Sequence, residues 1–352
     1  MDKREIISRV GNIQQVAYAR KIQFEEGRTS GMRAVEVKNG PMRFISMADK
    51  ALDIGELEYK GRILNFLTKP GLDGRNQFDT SGEEAQRSIM CGLFFTCGFE
   101  NVGAPYTDDN GKAYPMHGRL RTTPAEHVCS DARWIGDDYV ITLSGEMRES
   151  ELFGENLLLR RTITTKLGTP EIHVKDTAIN ESFRDEPAMR MYHCNFGWPF
   201  LSEDCEIIIP SRTITPKDDR SKAVLGDWMN VSEPLSNQPE LVYTHQLATD
   251  SQGNSFAGII NHKLGIGITM EFSVSDFPYL LEWKSKSAGD YVIGLEPANC
   301  AVMYGRQELE KRDILPMLPA QSSETKELTF SIHDGDKMLD AVAQRRDELL
   351  SA

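Results

Sequence analysis

The chain contains no C-x-x-C pair, no G-x-G-x-x-G turn, and no apolar run near the ~18 residues of a membrane span. Its six cysteines, Cys91, Cys97, Cys129, Cys194, Cys205 and Cys300, are scattered. That spacing argues against a disulfide framework or a cysteine zinc site, and the six read as small buried hydrophobes. Without the glycine fingerprint or an alternating β/α pattern, nucleotide-binding α/β folds lose their usual support. Basic residues are also in deficit: 40 Lys and Arg against 53 Asp and Glu leave a formal net charge of −13. Such a surface repels phosphates and anionic lipid, so neither nucleic acid nor a membrane is an expected partner. Met1-Asp2-Lys3-Arg4-Glu5 leads into no apolar leader, which makes the cytosol the expected compartment.

The chain is instead rich in strand and turn signals. Ile266, Ile268, Met270 and Phe272 alternate with Gly267, Thr269 and Glu271. Leu328, Phe330 and Ile332 alternate with Thr329, Ser331 and His333, and the same period of two runs through Tyr139, Ile141 and Leu143 and through Ile172 and Val174. Turns such as Asn39-Gly40-Pro41, Asp73-Gly74 and Asp109-Asn110-Gly111 separate these runs. The expected fold class is all-β, a large antiparallel sandwich with a few short peripheral helices. One helix is expected at 336–352, with Met338, Val342 and Leu349 on its packed face, and Ile6 to Ile13 reads as a short helix or turn. Residues 70–88 and 211–240 read as excursion loops. With no repeat or composition break, 1–352 reads as one domain, residues 1–14 forming an N-terminal extension.

Four polar stretches are set among glycine, proline and aromatic residues. In Tyr192-His193-Cys194-Asn195-Phe196-Gly197-Trp198-Pro199, a strand-like run holds a group that exchanges protons near neutral pH. A lone core histidine is ordinarily satisfied by a carbonyl, so partners elsewhere must decide its role. In Tyr114-Pro115-Met116-His117-Gly118-Arg119, His117 and Arg119 would point the same way if the stretch is extended. Tyr291 to Asn299 reads as a strand that delivers Glu296 just before Pro297 stops it. In Met47 to Gly55, Asp53 between Leu52 and Ile54 is the acid expected to face inward. Trp283 and Lys284 add a ring and an ammonium able to contact a sugar or small anion.

Together with the Gly27-to-Gly31 turn and Cys97-Gly98-Phe99-Glu100-Asn101-Val102-Gly103, these motifs resemble the aldose 1-epimerase (galactose mutarotase-like) superfamily, and within it a bacterial aldose 1-epimerase-like branch. The resemblance runs from Gly11 to about Gly335 and implies a β-supersandwich whose open face holds a sugar. It also implies that His193 is a general acid and Glu296 a general base for interconverting the α and β anomers. His117 and Arg119 fall where the superfamily holds the ring-oxygen side of the sugar, and Asp53 or Glu100 would help Glu296 favour the imidazolium. Asp218 and Asp219 are candidates for a further substrate-gripping acid, and Lys284, Arg119 and Arg306 for an anionic group. The sequence departs from the branch at Asp49-Lys50-Ala51, where Arg and Gly are more usual. Anomer exchange transfers no electrons and expels no leaving group, so no nicotinamide, metal or other cofactor is expected. Alternatives left open are a non-catalytic sugar-binding protein on the same scaffold, a carboxylate-based hydrolase or lyase, and a metal site made by His117, His193 and Glu296.

Overall fold

Alternation of apolar and polar residues dictates the architecture, because each half-buried strand must pack one face against another layer. The structure, a computed structural model, describes residues 2–72, 82–89 and 92–352. Asp73-Gly74, part of the 70–88 excursion and Cys91 therefore lie outside the described residues. An eight-stranded sheet runs in the order Cys205–Ile208, Asn254–Asn261, Ile266–Ser273, Ser323–Asp334, Glu171–Asn180, Asn156–Lys166, Asp138–Ser150, Glu126–Ile135. A six-stranded sheet runs Ser211–Pro216, Leu241–Leu247, Tyr279–Ser287, Asp290–Ala298, Met189–Gly197, Phe94–Phe99. A five-stranded sheet covers Ala17 to Ile63 in sequence order. Neighbouring strands of the six-stranded sheet pair antiparallel, as do those around Ile266–Ser273 and Ser323–Asp334.

The main core lies where these sheets meet. Phe94, Tyr192, Cys194, Phe196, Ile293 and Leu295 of the six-stranded sheet join Ile268, Met270, Leu328 and Phe330 of the eight-stranded sheet. Each such side chain removed from water contributes about 1.5–3 kcal/mol. Truncating a fully buried ring such as Phe94 costs about 3–5 kcal/mol. The periods of two read from the sequence all fall on strands of this sandwich.

Peripheral elements differ from expectation in instructive ways. The C-terminal helix is Asp336–Ser351, and its packed side is Leu339, Val342 and Leu349 against Ile208, Phe256 and Ile260. Met338 is about half exposed, because on a helix it lies one step off the stripe that Leu339 and Val342 define. Residues 211–240 hold more than a loop: a strand at Ser211–Pro216 and a helix at Asp219–Ala223. Asp218 caps that helix by accepting from the Ser221 backbone N–H, which accounts for its carboxylate locally. Strand Asp290–Ala298 continues through Pro297 instead of stopping there. Cys129 is exposed, unlike Cys97, Cys194, Cys205 and Cys300, because it sits on the edge strand Glu126–Ile135. Among the described residues no helix is long and apolar enough to cross a membrane.

Candidate active site

In the six-stranded sheet the pleat sends alternate residues to opposite faces. On Met189–Gly197, Tyr192, Cys194 and Phe196 go to the core, so Met191, His193 and Asn195 go to the other face. Register with the neighbouring strand pairs Cys194 with Leu295 and Met191 with Ala298, which stands His193 opposite Glu296 on that same face. His193 Nε2 lies 2.9 Å from Glu296 Oε1, with the two side chains 2% and 5% exposed. The approach is off the line of a hydrogen bond, and among the described residues Oε1 has no hydrogen-bond partner. A buried carboxylate oxygen in that condition is costly to desolvate unless something arrives to bond it.

The surroundings are aromatic. Trp283 and Phe95 meet the His193 ring edge-on at centroid distances of 5.4 and 6.3 Å, and His117 does so at 5.8 Å. His117 reaches this face from a turn in which its own φ is +59°, so the extended geometry expected for His117 and Arg119 does not form. Gly103 N–H donates to His117 Nδ1 at 3.3 Å. Burial, and then the charges of His193 and Arg121, hold the His117 pKa well below its ordinary value. It is a neutral ring at pH 7.

Gly294 leaves a gap in the floor. A Cβ there would lie 2.8 Å from Glu296 Oε1, 3.0 Å from His193 Cε1 and 3.2 Å from Trp283 Cε3. Backbone without a side chain thus makes room between the imidazole, the carboxylate and the indole. Such a face, with one fixed neutral imidazole and a carboxylate beside a second imidazole, can take one proton and give another over a short span.

Residues 29–332 match the family described as Domain of unknown function (DUF4432). The chain belongs to that family. No curated protein sequence matches it. Among solved structures, a candidate aldose 1-epimerase from Klebsiella pneumoniae superposes with a TM-score of 0.88 at 20% identity, over 99% of this chain and 91% of that one. A galactose mutarotase-like protein from Clostridium acetobutylicum gives 0.62 at 14% identity, over 91% and 99%. Galactose 1-epimerase from Lactobacillus acidophilus gives 0.59 at 10% identity, over 91% and 100%. The DUF4432 chain therefore has the galactose mutarotase-like fold.

Of the residues singled out in the DUF4432 sequence, the structure brings together His117, His193, Trp283 and Glu296. It does not bring Asp53 to this face. Asp53 accepts from Thr96 N–H at 3.0 Å and from Arg161 Nη1 at 2.7 Å, between the sheets. Burial raises its pKa above the ordinary value even though Arg161 pulls it down. Lys284 goes to the reverse face, because it directly follows Trp283 on a strand. There it pairs with Glu282 at 3.2 Å and donates to the carbonyls of Trp228 and Asn230. Glu100 pairs with Arg119, whose Nη2 also donates to the Ala113 carbonyl. Arg306 donates to the Glu100 carbonyl and pairs with Glu310.

Sequence reasoning overlooked Asn195 and Gly294. Both could have been found by stepping two residues along a strand from His193 and from Glu296. It also overlooked a chain behind the site, in which Ser211 Oγ lies 2.7 Å from the Nδ1 of the buried His245, whose Nε2 lies 3.1 Å from the buried Glu282 Oε2. The Ser211–Glu282 link spans three strands, and nothing local in the sequence signals it.

Proposed function

We propose that this protein is an aldose 1-epimerase, exchanging the α and β anomers of a sugar by opening and reclosing its ring. The observation that carries the reading is the 2.9 Å approach of His193 Nε2 to a Glu296 oxygen with no hydrogen-bond partner among the described residues. In a cyclic aldose, the hydroxyl oxygen on C1 and the ring oxygen are bonded to one carbon and so lie closer together than that 2.9 Å. A base and an acid side by side on one sheet face suit two such oxygens.

Glu296 takes the proton of the C1 hydroxyl while the His193 imidazolium gives one to the ring oxygen. The bond from C1 to the ring oxygen breaks, its electron pair stays on that oxygen, and C1 becomes an aldehyde. Rotation about the bond from C1 to C2 and closure on the other carbonyl face return both protons to where they started. His117, neutral, donates to a sugar oxygen. The half-buried Trp283 ring faces the apolar side of the sugar. Each proton-transfer group contributes on the order of 10²–10⁴ in rate.

The test is exchange spectroscopy by NMR on a panel of neutral and anionic aldoses. The parent is expected to accelerate exchange for at least one sugar, and His193→Ala is expected to lose most of that acceleration while keeping its circular dichroism. Binding of a sugar with no acceleration anywhere on the panel would replace the enzyme with a sugar-binding protein.

A further inference from the structure

The protons on the two site histidines can be placed from their hydrogen-bond partners. The Asn195 amide nitrogen lies 3.1 Å from the His193 carbonyl and 3.4 Å from the Gly92 carbonyl. Carbonyls only accept, so that atom is the NH₂ and the flipped amide would set oxygen against oxygen. Asn195 Oδ1 therefore faces His193 Nδ1, at 2.6 Å, and can only accept from it. The hydrogen of a neutral His193 sits on Nδ1. Its Nε2 is then a bare lone pair on the nitrogen that lies 2.9 Å from Glu296 Oε1. Two lone pairs at that distance repel unless a proton lies between them, either on the imidazole or on the carboxyl.

His117 is arranged the other way round. Gly103 N–H donates to its Nδ1, so that nitrogen is the acceptor and the hydrogen of the neutral ring sits on Nε2. The titratable groups around His193 are Glu296 across the strand pair, His117 from its turn and Cys97 on the adjoining strand.

We infer that Asn195 is a positioning residue that holds His193 in the Nδ1–H tautomer, so that the only transferable proton of the pair lies between His193 Nε2 and Glu296, while the Gly103 N–H holds His117 as a fixed Nε2–H donor. The two rings divide the work: one exchanges a proton and the other only presents one. The catalytic consequence rests on the epimerase reading above; the tautomers do not.

Long-range ¹H–¹⁵N spectra of histidine-labelled protein, with His193→Gln and His117→Gln to assign the rings, read the tautomers directly. The expected result at alkaline pH is an Nδ1–H pattern for His193 and an Nε2–H pattern for His117. The reverse pattern for His193 overturns the inference whether or not the protein is active. In an active parent, Asn195→Ala is expected to lower kcat by about tenfold or more, with KM nearly unchanged, because the His193 ring loses the acceptor that holds its Nδ1–H and so fixes where Nε2 presents its proton. Asn195→Asp, which still accepts from Nδ1–H, is expected to restore the Nδ1–H pattern and to move the alkaline limb of the pH profile upward, since a carboxylate favours the imidazolium that acts as the acid. An Asn195→Ala enzyme with the parent's kcat, pH profile and His193 tautomer would reduce Asn195 to a strand residue. A parent inactive on every sugar would end the epimerase reading and leave the spectra to decide the tautomers.

Discussion

The two faces of the Met189–Gly197 strand both bury ionisable groups, and they treat them in opposite ways. Toward the core, Arg161 spends its guanidinium on Asp176, Asp53, the Thr96 hydroxyl and the Ala51 carbonyl, at 2.6 to 2.8 Å. Tyr192 adds its hydroxyl to Asp176. Toward the other face, Glu296 keeps an oxygen with no hydrogen-bond partner among the described residues, next to a histidine and over a gap at Gly294. A closed network fixes the position of a strand, whereas an open one waits for a ligand. An orphaned atom alone is not enough to mark a site: Arg190, also between the sheets, pairs with Glu324 yet leaves Nε and Nη1 unbonded among the described residues. Glu296 differs in having a proton-exchanging partner and space beside it.

Substitutions can break this contrast. On the open face, Glu296→Gln keeps the shape and removes the proposed base, and mutarotation is expected to fall by about 10²–10⁴ with the urea midpoint within experimental error of the parent. Polarimetry on a fresh α-anomer measures it, and a variant as fast as the parent removes Glu296 from the chemistry. On the closed face, Arg161→Met strands Asp53 and Asp176 in the interior and is expected to cost about 3–5 kcal/mol in urea denaturation. A cost below about 1 kcal/mol would mean that the core network is not the fixed side of the strand. Gly294→Ala fills the gap without adding or removing a charge, and should slow exchange by about tenfold, since its methyl meets the Glu296 carboxylate.

The smallest effect expected is on stability against pH. His117 has a folded pKa well below 6.5. Above about 6.5 the ring is neutral both folded and unfolded and contributes nothing to pH dependence. As the pH falls below that value the unfolded chain takes up a proton that the folded chain refuses, so stability declines. The denaturation midpoint should drop between pH 6.5 and the lower folded value, and His117→Gln should flatten that part of the curve.

Most of the sandwich was legible because a period of two is a local property. Ile266 to Phe272 and Leu328 to Ile332 carry it without interruption, and both are strands in the structure. The site was legible in part. His193 and Glu296 stood out in their own stretches and took their roles from the resemblance, but their apposition depends on a register that nothing local in the sequence encodes. Asp53 does face inward, as its apolar neighbours imply, yet inward here means toward Arg161. Trp283 and Lys284 are consecutive on a strand, so the same period of two that revealed the fold already forbade them from sharing a face. Applied from His193 and Glu296, that rule also points to Asn195 and Gly294.

Tyr192 and His193 are consecutive, one tied into the Arg161 network and the other beside Glu296. The strand cannot leave the core while keeping the imidazole in register with the carboxylate. Heat or urea should therefore give no folded but inactive form: activity remaining after a thermal challenge becomes a count of intact molecules, and its melting curve should superimpose on that of the near-ultraviolet signal.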